Sequence, residues 1–454
     1  MKTTKTLAFR MIAVLGLLTG PALFVADSHA APAMQDVVSP GGIHAVLVQD
    51  AAVPTIRLSF AFDGGAAQDP ADRPGVARLV AYLLDQGAGH LDSRSFRDQL
   101  DRLAIGLQFY AGPDNFYGYL HTLGSNKEEA FNMLGLALSS ARFDRADVDR
   151  IRARELSWLD RKSTIPPLVG SRKAVEMAFP NHPYGRPDGG SVESIKAITI
   201  DDLRDYTSHV FAKDTLKIAV IGDIDPQTLG ILLDKAFGSL PSKATLRPVP
   251  DVIATLPLRR VLVTLKNPQT EILFIAPGIP LGDQDYTAAT LVCDILSGSG
   301  LSSRLFQSIR ETRGLTYSIS GGLRTLTHSA LFVGHAASRS DRVGETTAAI
   351  EEDVRRMAET GPTEQELAIA KSHLAGSELL KMSEPGTLVG SILWSEIHRQ
   401  PIGFGARKAL IDAVTLPDAK RVAKRLWGNG VSMILVGSAA NESIDSDHTQ
   451  QQQP

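Results

Sequence analysis

A chain of 454 residues, 43% of them hydrophobic, is long enough to bury the cores of two or more domains. A net charge of −3 offers no sign of a nucleic-acid partner. The single cysteine, Cys293, excludes an intrachain disulfide, so the fold must rest on its core.

Taken in chain order, residues 1–30 read as a secretory signal peptide. MKTTKTLAFRM is basic, MIAVLGLLTGPALFV is apolar, and Ser28 and Ala30 supply small residues before a cleavage point after Ala30. Gly20 and Pro21 break the apolar run, which is short for a membrane anchor. No later segment is apolar enough to span a membrane, so the expected location is outside the cytoplasm, in a periplasm. A strand is expected through Ile56–Phe62, where Ile56, Leu58, Phe60 and Phe62 alternate. GVARLVAYLLDQGAG (Gly75–Gly89) reads as a helix and glycine turn, followed by a second helix near Ser93–Leu100. A hairpin turns at Gly112-Pro113-Asp114, and LKIAVIGDI (Leu216–Ile224) reads as a buried strand.

The same order then repeats. EILFIA (Glu271–Ala276) matches the first strand, LVCDILSGSG (Leu291–Gly300) the first helix and SSRLFQSIR (Ser302–Arg310) the second. A hairpin turns between Gly321 and Ser329, helical patterns cover Asp341–Glu359 and Thr363–Met382, and VSMILVG (Val431–Gly437) matches the late strand. The offset stays at roughly 209–215 residues, about one domain length. Gly238–Pro257 holds four prolines and reads as a linker. The expected organisation is a signal peptide (1–30), an N-terminal domain (31–237), a linker (238–257), a C-terminal domain (258–440) and a disordered polar tail (441–454). Hairpins interspersed with helices predict an α+β fold, each domain a mainly antiparallel sheet flanked by helices.

Five segments carry a family resemblance: DGGAAQDP, the Gly75–Gly89 helix, FPNHPYGRP (Phe179–Pro187), VIGDID (Val220–Asp225) and SSRLFQSIRETRGLTYSI (Ser302–Ile319), the last being the most specific. On these, the mature chain resembles the M16 peptidase family, which includes pitrilysin, insulinase and the mitochondrial processing peptidase. The resemblance implies two homologous domains of the M16/LuxS-like metalloenzyme fold. Active members carry HxxEH on the first helix. Histidines at i and i+4 share one helix face and reach one zinc, and the glutamate acts as base on the metal-bound water. Here those positions hold Arg78, Ala81 and Tyr82. Arginine has no lone pair to donate, alanine is no base and a neutral tyrosine is a poor ligand. Glu155 falls near the position of a later glutamate ligand. It is expected either to be neutralised by Arg78 or to be solvated on a charged helix.

No other zinc site is legible. His182, His328 and His335 lack a ligand cluster and read as structural, solvated or singly hydrogen-bonded residues. Cys293 reads as core, and Gly298–Ser303 as a helix-capping turn lacking the lysine of a phosphate loop. Arg310 and Tyr317 remain. By pattern alone, Tyr317 could join a Leu315/Tyr317/Ile319 core face and Arg310 could answer a helix dipole. Equally, a turn stopped by Gly314 could bring both to one sheet edge as donors for a carbonyl or oxyanion.

The resemblance favours the second reading. In two-subunit bacterial members one chain carries HxxEH, and the other carries an Arg…Tyr pair with this spacing that binds substrate. It implies a non-catalytic subunit of a periplasmic two-chain M16 zinc peptidase. This chain would bind no cofactor and have no peptidase activity alone. An HxxEH-bearing partner would hold zinc in a heterodimer, with Arg310, Tyr317 and half the chamber wall supplied here for peptide substrates. The alternatives are a non-enzymatic envelope binding or assembly protein on the same scaffold, and an autonomous metallopeptidase with displaced ligands.

Overall fold

The computed structural model describes residues 34–298 and 300–438; the signal segment and the polar tail from 441 onward lie outside the described residues. Sheet 1 comprises β1 (Met34–Val38), β2 (His44–Gln49), β3 (Thr55–Asp63), β4 (Gly106–Ala111), β5 (Asn115–Leu123) and β6 (Lys217–Gly222), in the order β1-β2-β6-β3-β5-β4. Its helices are α1 (Val76–Leu83), α2 (Ser93–Arg102), α3 (Lys127–Ser139), α4 (Arg145–Lys162), α5 (Pro166–Ala178), α6 (Val192–Ala197), α7 (Ile200–Val210) and α8 (Pro226–Phe237). Sheet 2 comprises β7 (Arg260–Thr264), β8 (Gln269–Pro277), β9 (Thr316–Leu326), β10 (Ser329–Arg339) and β11 (Ser432–Gly437), in the order β7-β11-β8-β10-β9. With it come α9 (Tyr286–Ser297), α10 (Val343–Thr360), α11 (Glu364–Ser383), α12 (Pro385–His398), α13 (Phe404–Ala413) and α14 (Leu416–Trp427).

The fold is α+β, and its strand plan occurs twice. β2-β6-β3-β5-β4 and β7-β11-β8-β10-β9 share order and sense, each with one parallel pair (β2·β6, β7·β11) and antiparallel neighbours elsewhere. Even the packing notches repeat. Gly118 lies opposite Phe60 and Gly334 opposite Phe274, and a Cβ at either glycine would sit 2.1 Å from the facing ring. The rings occupy the space that only glycine leaves open.

Each sheet is covered on both faces. One face of sheet 1 packs on a core including Phe60, Phe62, Leu79, Phe131 and Phe237; one face of sheet 2 packs on Phe274, Leu291, Phe332, Met357 and Trp427. The opposite faces are covered by exchange. α5, which follows sheet 1 elements in sequence, lies on β8 and β11 through Ala174, Val169 and Met177. α12 lies on β3 and β6 through Leu388, Val389, Ile392 and Leu393, against Val48, Ala61, Ala219 and Ile221. Double coverage explains the near-continuous apolar runs of β6 and β11.

The segment between α8 and β7 has no regular structure, but it is no solvated tether. Thr245 N–H donates to His209 O, Arg247 N–H to Gln68 Oε1, Val252 N–H to His328 O and Thr255 N–H to Ala178 O, while Ala254 is buried. Its low apolar content concealed a strap held mainly by backbone hydrogen bonds. Among the described residues no helix is long and apolar enough to cross a membrane.

Ile392 is buried on the sheet opposite to that of its own sequence neighbours. Ile392→Ala should therefore cost about 2–5 kcal/mol. Differential scanning calorimetry should show one transition shifted down. Two separated transitions would show that α12 does not couple the halves.

Candidate functional site

The most specific sequence segment folds irregularly on both sides of its turn. Ser302–Arg310 was expected to be an ordinary helix, but Phe306–Thr312 is a π-helix, in which Arg313 N–H reaches back to Ser308 O. Such widened turns occur often at functional sites, because the extra residue re-aims the side chains around it. Gly314, at φ +59°, ends the helix in the left-handed conformation and donates to Arg310 O. β9 then begins at the edge of sheet 2.

A bulge follows at once. Ile319 faces Ala336 and Thr316 faces Ser338, so Tyr317 and Ser318 together oppose Ala337. The Thr316 hydroxyl sits inside the irregularity, donating to Ala337 O at 2.6 Å and accepting from Ser318 N–H. The extra residue breaks the period of two. Leu315 and Ile319 remain core, while Tyr317 is 81% exposed. Arg310, also exposed, lies over the Phe306 ring at 4.6 Å with its Nε 3.7 Å from Glu311. The structure thus exposes the Tyr317 phenol on the edge strand and the Arg310 guanidinium on the π-helix that precedes it, and the core-face alternative for Tyr317 fails because the bulge turns it outward.

The degenerate metal positions lie in the other half. α1 packs against α4 and β4. Asp69 caps α1 from outside, accepting Gly75 N–H at 2.6 Å and Ala77 N–H at 2.8 Å. Burial pushes its carboxyl up to about 7, against the pull of those two N–H groups. Ala81 is buried and Tyr82 is partly buried under Arg154, whose guanidinium lies 4.5 Å from the ring centre. Glu155 is 3% exposed, which removes the solvated-helix alternative. Its carboxylate partner within 4 Å is Arg154 at 3.7 Å, and its Oε2 has no hydrogen-bond partner.

The expected Arg78–Glu155 neutralisation holds only through space: Arg78 is the largest charge offsetting the burial of Glu155, but it forms no ion pair with it within 4 Å. Arg78 pairs instead with Asp188, at 3.9 Å, because the guanidinium lies against Gly189 in the loop that carries Asp188. Burial pushes the Glu155 carboxyl above its ordinary value, and the charges of Arg78, Arg154 and Lys162 only partly offset this. Asp188 shows the opposite balance. Burial would raise its carboxyl, but Lys162, at 3.5 Å, and Arg78 outweigh this and hold it low.

These side chains do not fit zinc. Arg78 offers only donors, Ala81 offers nothing, Tyr82 is capped by a cation, and Glu155 alone remains as a carboxylate. Among the described residues no group of three or more His, Cys, Asp or Glu side chains could hold a metal ion.

The histidines are more engaged than their sequence context showed. His182 is buried between Tyr184 N–H and Pro250 O; His328 Nδ1 lies 2.9 Å from Asp251, and His335 Nδ1 lies 3.6 Å from Glu271. Tyr184 donates to Asp114 at 2.5 Å and accepts from His328 N–H, while Asp114 also accepts from Thr327 N–H. Both hairpin tips and the interdomain strap therefore meet in one polar knot, a long-range arrangement with no periodic signal in the sequence. Cys293 is buried in α9, where burial raises its thiol. Ser303 does not cap the helix that follows Gly298–Ser303. Its hydroxyl is buried without a partner, because the chain enters the helix with no side-chain cap.

Comparison with known proteins agrees with this geometry. A family described as "Peptidase M16 inactive domain" matches residues 197–374. The chain is 25% identical over 421 residues to an uncharacterized zinc protease of Mycobacterium tuberculosis, covering 91% of this chain and 95% of that protein. It is 28% identical over 330 residues to a non-peptidase homolog of Helicobacter pylori, covering 71% and 75%. Its fold is similar to a peptidase M16 inactive-domain structure from Pseudomonas fluorescens, with TM-score 0.83, 21% identity and coverage of 91% and 99%. It is also similar to a chain of complex III from Candida albicans, with TM-score 0.73, 15% identity and coverage of 89% and 96%.

A carboxyl held above its ordinary value in the folded chain costs stability once it ionises, so the cost of Glu155 appears as pH rises above the usual glutamate range. Glu155→Gln should leave the thermal midpoint near pH 4 unchanged and raise it by roughly 1–3 °C at pH 8. Equal shifts at both pH values in thermal melts would refute this account.

Proposed function

We propose that this chain, which is similar in sequence and fold to M16 peptidases and to their inactive-domain proteins, serves a two-chain zinc peptidase as a non-catalytic subunit, binding substrate for an HxxEH-bearing partner. The carrying observation is the pairing of two facts. Arg78, Ala81, Tyr82 and the cation-capped Glu155 cannot form a zinc site, while Arg310 is exposed on a π-helix and Tyr317 is turned outward by a bulge on the edge strand that follows it.

The division of labour follows from the chemistry. The partner holds zinc and supplies the base that activates its water. This chain binds no metal, closes half of a chamber around the peptide and offers two donors. Arg310 brings a delocalised positive charge and Tyr317 a neutral hydroxyl, a combination that can hold a peptide carbonyl or the oxyanion formed from it. The N-terminal signal pattern supports a periplasmic location for this chain. The relative described as a non-peptidase homolog supports a second reading, a binding or assembly protein on the same scaffold with no hydrolytic partner.

Reconstitution separates the two. The purified mature chain alone should show no metal-dependent hydrolysis of a quenched fluorescent peptide, whereas mixture with an HxxEH-type subunit from the same genome should. In the mixture, Arg310→Ala and Tyr317→Phe should each lower kcat/KM by roughly 10²-fold or more. Full activity of both variants, with heterodimer formation intact, would favour the scaffold reading.

A further inference from the structure

A cavity of about 160 Å³ opens between the two halves, beside the degenerate metal positions and along the inner end of β9. Lys162, Arg172, Arg186 and Arg324 line it, against only two carboxylates, Asp69 and Asp188. We propose that this cavity is an anchor for a carboxylate carried by a peptide, either an acidic side chain or a C-terminus.

The charge balance is the first argument. Asp188 alone is shared between Lys162 and Arg78. Both oxygens of Asp69 are occupied by backbone N–H groups, which leaves neither free to pair with the cavity's cations. Arg186 is held by Asp69 O at 3.2 Å and Arg172 by Glu176 at 2.7 Å. Arg324 makes no hydrogen bond or ion pair within 4 Å among the described residues, and its charge acts on Asp188. The remaining wall, with Leu168, Val175, Phe179 and Leu326, is apolar. Cations converging on a partly apolar cavity are stabilised most by an incoming anion that can accept charge-assisted hydrogen bonds.

Position is the second argument. Arg324 and Tyr317 stand on the same edge strand, seven residues and thus about 23 Å apart at about 3.3 Å per residue. An extended peptide engaged at Tyr317 would place a residue about seven positions away at the cavity. This spacing rests on Tyr317 being a peptide contact. The anion site itself requires neither that contact nor a partner chain.

Fluorescence anisotropy of the mature chain alone, at low salt, tests the site. The probes are a labelled ten-residue peptide ending in Asp with a free carboxylate, and its amidated Asn counterpart. The acidic peptide should bind about tenfold or more tighter. Lys162→Gln and Arg324→Gln should each erase that preference, Arg324→Gln at unchanged thermal midpoint, while Arg94→Gln, which removes an exposed charge elsewhere, should not. Equal binding of the two peptides to the unmodified chain would overturn the proposal, as would an equal loss in Arg94→Gln. Binding of inorganic phosphate alone, without the acidic peptide, would also overturn it. Because no partner is present, failure here leaves the reconstitution result independent.

Discussion

The structure depends on the reciprocal exchange of α5 and α12. Each helix follows the elements of one half and covers the outer face of the other half's sheet. Without the exchange, Val48, Ala61, Ala219 and Ile221 on one side, and Leu273, Ile275, Ile434 and Val436 on the other, would face water. The hydrophobic term that completes each sheet therefore also fixes the two halves relative to each other. The polar knot of Asp114, Tyr184, Thr327, His328 and the interdomain strap then sets the hairpin tips against one another.

On that frame, the residues proposed to bind substrate stand in local departures from regularity. Arg310 stands in a π-helix, Gly314 supplies the left-handed stop, and the Thr316 hydroxyl fills the bulge that turns Tyr317 outward. Each device alone is an ordinary irregularity. Together they expose one donor on the edge strand β9, whose backbone is unpaired on one side, and another on the helix leading into it.

The other half shows how a buried carboxylate is only partly neutralised. A buried carboxylate at position 155 would be costly in isolation. Arg154 at contact distance, and Arg78 and Lys162 through space, supply part of the neutralisation. The neutralisation is incomplete, as the unpartnered Oε2 and the raised carboxyl show. The same cations, shared through Asp188, give the adjacent interdomain cavity its positive character.

Much of the fold was legible from the sequence. Alternation in Ile56–Phe62, the hairpin turns at Gly112–Asp114 and near His328, and the recurrence of the whole pattern in the second half are local or periodic signals, and they appear as β3, the two hairpins and the doubled strand order. That Arg78, Ala81 and Tyr82 supply no good zinc donor is a matter of side-chain chemistry and needs no coordinates. The rest depended on contacts between distant residues. Only tertiary structure could pair Arg78 with Asp188 rather than Glu155, send α5 and α12 across to the opposite sheets, join His328 to the strap, and open a helix and a strand by one residue each around Arg310 and Tyr317. None of these carries a period in the chain, and each is decided by which surfaces and charges are left uncovered once the regular elements have packed.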